Sequence, residues 1–388
     1  MQIDFHYYAT YCAAVIAGYS PEESLAICYA DQFTDHCTAT LLKEVNGPKA
    51  AATTQIQLEL ANMPTDILGL QDITRIWSSF HFLPYDLYAE KKGCTRRYLN
   101  KYRLICKPNG MLLKDTVENA KNGSLQAVGI AMHILADTWA HSYFAGTPSL
   151  VINNTDFYFY EILDEDGEEV RKKISFSHNP MVSDDVFNGH YTASIFRSDE
   201  KSIMNLGHGR AGHFPDYSFA RYAYLPAWGG YDEIVKDNPS DYYKAFCQMV
   251  YAMKYLRGEI DCFEKDKYAY ETVAPYESEI KAILTKRQKN ASEDWKQFGE
   301  KLTGISIEDF DEKAFFNEYK NAPQGTKKDT VLGKFFLSAM EQKSMVTNRI
   351  FTSGSLIAGI SIEYNELNLK DKEKFKLFFD AVTGRRGA

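Results

Sequence analysis

The chain has 388 residues, enough for two average domains or one large domain with insertions, and 45% of them are hydrophobic, as in an ordinary globular protein. Its formal net charge of −8 argues against a broad basic surface, so no surface for duplex DNA or anionic lipid is expected. Seven scattered cysteines without a CxxC pair favour a reducing compartment.

The N-terminal segment is expected to belong to the folded protein. It carries Asp4 and His6 where a signal peptide would need a basic start. Its apolar run CAAVIAG is too short to cross a bilayer. The sequence therefore predicts a cytoplasmic protein with no removed leader and no transmembrane segment.

Two helices are predicted at the start of the chain. Apolar spacing indicates the first over residues 5–17, with Gly18 as its left-handed stop. The second begins at the N-cap Ser20, with a proline at its first position and Glu23 completing a capping box. This second helix is expected to carry acidic residues on one face.

The strongest helical pattern lies further along the chain. Residues 46–115 are rich in glycine, proline and aromatic residues and are assigned little regular structure. From the N-cap Ser124, SLQAVGIAMHILADTWAHSYF predicts a long helix that ends near Gly146 and Pro148.

A change of period marks residues 150–180, where aromatic and polar residues alternate on both sides of an Asp166-Gly167 turn. This pattern predicts a β-hairpin. Because helical patterns flank it, we expect a mainly α protein: a metal-binding helical domain over 1–235 that contains the hairpin as an insertion, and a helical region over 236–388 packed on it.

Three polar residues recur at every fourth position of the long helix: His133, Asp137 and His141. Each step of four residues advances about 40° around an α-helix, so two neighbours can hold one ion and the third can reach another. Asp137 lies among apolar residues and needs a cation or several hydrogen bonds to be buried. On these residues alone, metal binding and an ordinary polar helix are about equally favoured.

Other histidines also cluster with acidic residues, whereas His81, His178 and His190 lie in segments without such a context. Each cluster alone has an ordinary interpretation as a helix cap, a solvated face or a loop, but jointly they supply donors for two ions. The nitrogen and oxygen donors suit zinc, iron or manganese. The candidates are His6 with Asp4; Asp31, Asp35 and His36; and His208 and His213 with Asp216.

GIAMHILADTWAHSYFAG, residues 129–146, resembles a helix of the bacterial zinc-dependent phospholipase C and P1-type nuclease enzymes. More closely, DFHYYAT, YADQFTDH, HILADTWAHS and GHGRAGHFPD resemble an uncharacterised bacterial family of unknown function (DUF6765-like) that is related to those enzymes. The similarity covers about residues 1–230, and the HxxxDxxxH segment is its most specific part. It implies a helical bundle of the phospholipase C and P1 nuclease type, with a hairpin insertion and a di- or trinuclear metal site, with zinc as the expected ion.

The sequence departs from those enzymes at the N-terminus. There the amino group of an N-terminal tryptophan is itself a ligand; this chain has no tryptophan at that end, and His6 or Asp4 is expected to substitute. The spacing from Asp137 to His141 is shorter than in the phospholipases, and a downstream HxxxE pair is missing. The loop GHGRAGH is expected to supply the missing ligands.

Such a site favours phosphoester hydrolysis, because two ions that share Asp137 would activate a water for in-line attack at phosphorus. The expected metal ligands are His6, Asp35, His133, Asp137, His141 and His208. Asp137 and Arg210 are the expected catalytic residues, although an exposed loop arginine is the commoner interpretation of Arg210.

Two other functions stay open from the sequence. One is a non-catalytic protein in which metal ties the helices together, with the hairpin and the acidic C-terminal helices as its contact surface. The other is a di-iron oxygenase, which uses the same ligand types. No phosphate-binding loop of the GxGxxG or GxxxxGK[ST] type and no GxSxG nucleophile motif is present. The substrate class and the oligomeric state are left open.

Overall fold

The computed structural model describes residues 1–64, 66–155, 158–179, 182–195 and 204–361. About half of these residues are helical, and the strands form one small antiparallel sheet. Three positions of the predicted hairpin region, 156, 157 and 180, lie outside the described residues, as do residues 362–388 of the predicted C-terminal helical region.

The α-helices lie before and after the strands in sequence, within 10–153 and 238–352, and a π-helical segment, Asp4–Ala9, leads directly into the first of them. The α-helices are α1 (Thr10–Ile16), α2 (Pro21–Phe33), α3 (Ala39–Val45), α4 (Gln57–Ala61), α5 (Ile67–Phe80), α6 (Arg96–Tyr102), α7 (Met111–Ala120), α8 (Leu125–Ala140), α9 (Leu150–Asn153), α10 (Asn238–Leu256), α11 (Tyr270–Val273), α12 (Glu277–Thr285), α13 (Ser292–Thr303), α14 (Phe316–Asn321) and α15 (Val331–Thr352).

The two predicted N-terminal helices are present. The first is divided into the π-helical segment and α1, and Gly18 follows it with φ +94°. The capping box of α2 is confirmed: the Ser20 hydroxyl accepts from the Glu23 amide, and the Glu23 carboxylate accepts from the Ser20 amide. Helix α2 ends at Phe33, so Asp35 lies just beyond it rather than on its face.

Helix α8 occupies the centre of the helical part, in contact with α2, α5, α7, α10 and α15. Nearly all of its residues are buried, which agrees with a sequence that is apolar around most of the helix apart from the face of His133 and Asp137. It ends at Ala140, six residues before the predicted end, so His141 caps the helix. A Cβ on Gly129 would lie 2.3 Å from the Ile27 carbonyl oxygen, which shows how closely α8 packs against α2.

The predicted hairpin is confirmed as β1 (Tyr160–Glu165) and β2 (Glu168–Lys173). Both turn residues, Asp166 and Gly167, have positive φ, as a type I′ turn requires. The sequence did not predict β3 (Arg221–Tyr224) and β4 (Ile234–Asp237), which extend the hairpin into a four-stranded sheet of order β2-β1-β3-β4.

The sheet is fixed to the C-terminal end of α8. The buried amine of Lys236 in β4 donates to the Trp139 carbonyl oxygen and the Ser142 hydroxyl, each at 2.8 Å, and pairs with Asp241. This contact holds the segment immediately after α8, where His141 lies. Among the described residues, none of the helices is both long enough and apolar enough to cross a membrane.

Candidate metal centre

The histidine and aspartate of α8 form the base of a polar cluster in the core. His133 and Asp137 are 0% and 1% exposed, and the helical spacing places them on one face, with Nε2 of His133 3.3 Å from Oδ2 of Asp137. His141 follows the helix, and its Nδ1 lies 3.4 Å from the same oxygen. All three residues of the HxxxDxxxH segment therefore converge.

The N-terminal segment and α2 add a histidine and a carboxylate to this face. The His6 ring stacks on the His133 ring with centroids 3.9 Å apart, and Nδ1 of both rings lies close to Oδ1 of Asp31, at 2.8 and 3.1 Å. His6, Asp31 and His133 are fully buried and form one group that could hold a metal ion.

A second group is formed by Asp35, His81 and His133. Oδ1 of Asp35 lies 3.8 Å from Nδ1 of His81 and 3.8 Å from Nε2 of His133, and the two histidine nitrogens are 3.2 Å apart. Nε2 of His81 is directed to the Thr53 carbonyl oxygen at 3.1 Å, which leaves Nδ1 facing the group. The second group therefore offers two ring nitrogens and one carboxylate.

A third group lies at the C-terminal end of α8, where His141, His208 and Asp216 meet. Oδ1 of Asp216 is 3.0 Å from Nε2 of His141 and 3.5 Å from Nε2 of His208. The other nitrogen of each histidine faces a carbonyl oxygen, of His81 and of Gly212, at 2.7 Å. These contacts orient both Nε2 atoms toward Asp216.

Asp137 connects the three groups. Besides His133 and His141, its carboxylate lies 3.2 Å from Nε2 of His6 and 3.2 Å from Nδ1 of His81. The amino group of Met1 is buried beside it, 2.7 Å from Oδ1, and also approaches Nε2 of His141 at 3.1 Å. One carboxylate thus contacts a histidine of every group.

The electrostatics of the cluster keep Asp137 and Asp216 ionised. Burial opposes the negative charge of Asp137, but His141 and the Met1 amino group help to hold its pKa well below the usual range. Burial also opposes ionisation of Asp216, whereas His208 and the Met1 amino group help to hold its pKa well below the usual range. Both carboxylates are therefore available as anionic ligands at neutral pH.

His133 differs from His81 and His208 in the direction of its pKa shift. Burial disfavours the charged form of His133, but Asp137 and Asp35 outweigh it and raise the pKa of His133 to about 10. Burial lowers the pKa of His208 to about 4, and it also lowers the pKa of His81. His208 and His81 are therefore neutral at pH 7, as a metal ligand must be, while His133 carries a proton that a cation would displace.

The donor set fits a metal ion better than it fits a hydrogen-bond network alone. Both ring nitrogens of His6 are buried and make no contact with hydrogen-bond geometry, although oxygens of Asp31 and Asp137 lie within 2.8 and 3.2 Å. A buried ring without a hydrogen bond at either nitrogen is costly in a core, and a cation bound at one of the two nitrogens would offset part of that cost. The groups contain only nitrogen and oxygen donors.

A cleft of about 790 Å³ opens onto two of the three groups. The residues of the cluster that line it are Met1, Asp35, His81, His141, His208 and Asp216. Four residues of the cluster do not line the cleft and are at most 1% exposed: His6, Asp31, His133 and Asp137. The second and third groups are thus accessible from the cleft, whereas the group of His6, Asp31 and His133 lies deeper.

All six predicted metal-ligand residues, His6, Asp35, His133, Asp137, His141 and His208, lie in this cluster, but other candidates lie outside it. His36 pairs with Glu312 at 2.9 Å, and Asp4 accepts from the Ala291 amide. His213 is largely exposed, with Nδ1 3.5 Å from Asp216.

The candidate catalytic arginine is placed differently from the exposed position considered above. Arg210 is 1% exposed, and its Nε donates to the Asn205 side chain at 2.7 Å. It is not among the described residues that line the cleft.

Sequence reasoning missed His81. It lies immediately after α5, within residues 46–115, for which the sequence predicts little regular structure, and its segment has none of the acidic context that marks the other candidates. One signal was available: the run ILGLQDITRIWSSF has helical periodicity with a strongly apolar face, and His81 extends that pattern into the core. Its partners, Asp35 and Asp137, come from distant parts of the chain.

Comparisons with known proteins give a family and no function. A family model described as a family of unknown function, DUF6765, matches residues 1–383 of the chain. No curated protein matches the chain, and neither does any solved structure.

Proposed function

We propose that this chain, which belongs to the DUF6765 family of unknown function, is a metal-dependent phosphoester hydrolase with a di- or trinuclear site. One observation carries the proposal. Asp137 lies within 3.4 Å of a histidine from each of three donor groups, and two of these groups line a cleft large enough for a small organic substrate.

The proposed ligands fall into three positions. One position is the second donor group, Asp35, His81 and His133, with Asp137 beside it. Another is the third donor group, His141, His208 and Asp216. A third would need the amino group of Met1, which lies beside the contact of His6 with Asp137, to lose its proton and join them as a ligand.

Divalent ions bound at these positions would activate a water and neutralise charge on phosphoryl oxygens. The chain itself supplies the geometry: Asp137 holds the donor groups together, and the carbonyl oxygens of His81 and Gly212 orient the rings of His141 and His208. Zinc is the ion we propose, and the same nitrogen and oxygen donors accept iron or manganese.

The resemblance to phospholipase C and P1-type nucleases supports the same chemistry and suggests the same kind of helical bundle. The HxxxD pair of α8 carries that resemblance, and we propose that its aspartate is shared between the ions. The proposed function gives Arg210 no contact with the substrate, because its side chain is buried and bound to Asn205.

A metal-stabilised protein without catalytic activity is the alternative. Full burial of His6, Asp31 and His133 favours a structural ion at that group. The second and third groups differ, because they line the cleft and leave room for water and substrate.

The test combines metal analysis with phosphoesterase assays. The protein is purified, reconstituted separately with zinc, manganese and iron, and analysed by inductively coupled plasma mass spectrometry. Each form is assayed on p-nitrophenyl phosphate and bis-p-nitrophenyl phosphate. We expect two or three equivalents of metal and hydrolysis of at least one ester. Bound metal without hydrolysis of either ester would support the structural alternative, and iron with oxygen consumption would support an oxygenase.

The cleft also suggests where an anionic substrate binds. Lys289 is the single lysine or arginine among the described residues that line it, and its amine donates to the Ser183 hydroxyl at 2.7 Å. Hydrogen bonds hold both ends of the loop that carries Lys289. Arg287 donates to the Val186 carbonyl oxygen, and the Ala291 amide donates to the Asp4 carboxylate. The loop therefore holds this cation at the cleft.

We expect Lys289→Gln to raise KM for a phosphoester about tenfold with little change in kcat, because a charge-assisted hydrogen bond to the substrate is lost. Lys286→Gln is the matched control, since Lys286 lies on the same loop but pairs with Asp294 and does not line the cleft. Steady-state kinetics of both variants measure the effect. An equal rise of KM in the two variants would argue against a role specific to Lys289.

A further inference from the structure

We propose that Asp31 is a positioning residue and not a metal ligand: it holds the Nδ1 edges of His6 and His133, so that the Nε2 edges face the ions. This inference rests on the proposed metal site. It assigns a role to Asp31, which does not line the cleft and whose contacts within the cluster are with His6 and His133.

The stacked rings of His6 and His133 bridge two carboxylates. Their planes are 19° apart, and the contacts of their nitrogens show that both rings present the same edge in the same direction. On one side, Nδ1 of both rings meets Oδ1 of Asp31, at 2.8 Å for His6 and 3.1 Å for His133; the His133 contact has hydrogen-bond geometry, and the His6 contact is an ion-pair distance without it. On the other side, Nε2 of both rings meets the carboxylate of Asp137, at 3.2 and 3.3 Å.

The two edges have different surroundings. Next to Nε2 of His133 lie Asp137, His81 and Asp35, at 3.3, 3.2 and 3.8 Å, which together are the donor set expected for an ion. Next to Nδ1 lies Asp31. The ions are therefore expected at the Nε2 edges.

Asp31 is already engaged by the protein on both of its oxygens. Oδ2 accepts a hydrogen bond from the Thr10 hydroxyl at 2.6 Å, and Oδ1 makes a hydrogen bond with Nδ1 of His133. The side chain is 0% exposed, so water does not compete for it. A carboxylate held in this way is a good acceptor for the N–H of a histidine.

A carboxylate behind a metal-binding histidine fixes its tautomer and ring orientation, and it makes the other nitrogen a stronger donor. Loss of such a partner typically weakens metal affinity 10- to 100-fold without removing the ligand itself. Asp31 would act on two histidines at once, and these belong to two different metal positions. Its loss should therefore weaken binding at both positions.

The alternative is that His6, Asp31 and His133 bind an ion through Nδ1, Oδ1 and Nδ1, since these donors lie close enough together. The two roles differ in stoichiometry. A positioning residue changes affinity and keeps the number of ions at saturation, whereas a ligand removes one ion.

The experiment compares zinc binding by wild type, Asp31→Asn and Asp35→Asn. Affinity is measured by competition with a chelator of known zinc affinity, and the number of ions at saturation is measured by mass spectrometry. We expect Asp31→Asn to keep the wild-type number of ions with 10- to 100-fold weaker binding. Asp35→Asn is the control for loss of a proposed ligand and should bind one ion fewer or lose affinity at a single position.

A loss of one ion in Asp31→Asn, or wild-type affinity in that variant, would overturn the inference. If Asp31→Asn does not fold, Thr10→Val is the substitute, because it removes one hydrogen bond from Asp31. Thr10→Val should also weaken zinc binding, by a smaller factor. Unchanged zinc affinity in Thr10→Val would then overturn the inference. Wild type that binds zinc but hydrolyses no phosphoester would contradict the proposed function and leave this comparison intact. Wild type that binds no metal would contradict both.

Discussion

Asp137→Asn is expected to lower kcat/KM for phosphoesters by at least about 10³-fold and to remove at least one equivalent of metal. The shared carboxylate contacts histidines of all three donor groups, so its loss affects every proposed position at once. Loss of a single electrostatic group in an active site already costs about 10² to 10³ in kcat, and loss of a shared ligand adds the cost of an empty position. Steady-state kinetics and metal analysis of the same preparation measure both effects.

The matched control for Asp137→Asn is Asp184→Asn. Asp184 is also a buried carboxylate at the cleft, but it accepts from the Tyr217 hydroxyl and the Thr192 amide, each at 2.8 Å, and belongs to none of the donor groups. Asp184→Asn should keep the wild-type number of ions. Full metal content and activity in Asp137→Asn would refute the shared-carboxylate arrangement.

The part of the site that the sequence predicts is the part encoded by local geometry. His133 and Asp137 are four residues apart on a helix, and helical geometry alone places such a pair on one face. The capping box of α2 and the Asp-Gly turn are equally local, and both are present. His141 converges with the pair for a different reason from the one expected, because it caps α8 instead of continuing it.

The part that the sequence does not predict depends on contacts between distant segments. His81 reaches the cluster because α5 packs against α8, and no local sequence pattern predicts that contact. Strands β3 and β4 are four residues each, too short for alternation to distinguish them from loops. Arg210 lies in a glycine-rich loop that resembles an exposed segment, yet the loop folds inward and buries it.

Metal removal is expected to destabilise the protein. Without ions, the core keeps the carboxylates of Asp31, Asp137 and Asp216 within one buried cluster, where their charges face histidines, the Met1 amino group and the Thr10 hydroxyl. Ligand binding at about 1,000 times Kd adds roughly 4 kcal/mol to the free energy of unfolding, which for a chain of this size raises Tm by about 5 °C. Calorimetry before and after chelation, and after zinc is restored, measures the difference. An unchanged Tm would indicate that the cluster folds without metal.

The same experiment has a predicted pH dependence. Burial opposes the charge of His133, but Asp137 and Asp35 raise its pKa to about 10, so the metal-free protein carries a proton there throughout the range from pH 6 to pH 8. An ion must displace that proton, and each displaced proton strengthens apparent zinc binding roughly tenfold per pH unit. Affinity should therefore rise with pH, and the metal-dependent gain in Tm should shrink as the pH falls. Proton release is measured by calorimetric titration in two buffers of different ionisation enthalpy. Zinc affinity that stays constant from pH 6 to pH 8 would mean that the ion binds without displacing a proton, and that His133 is not a ligand.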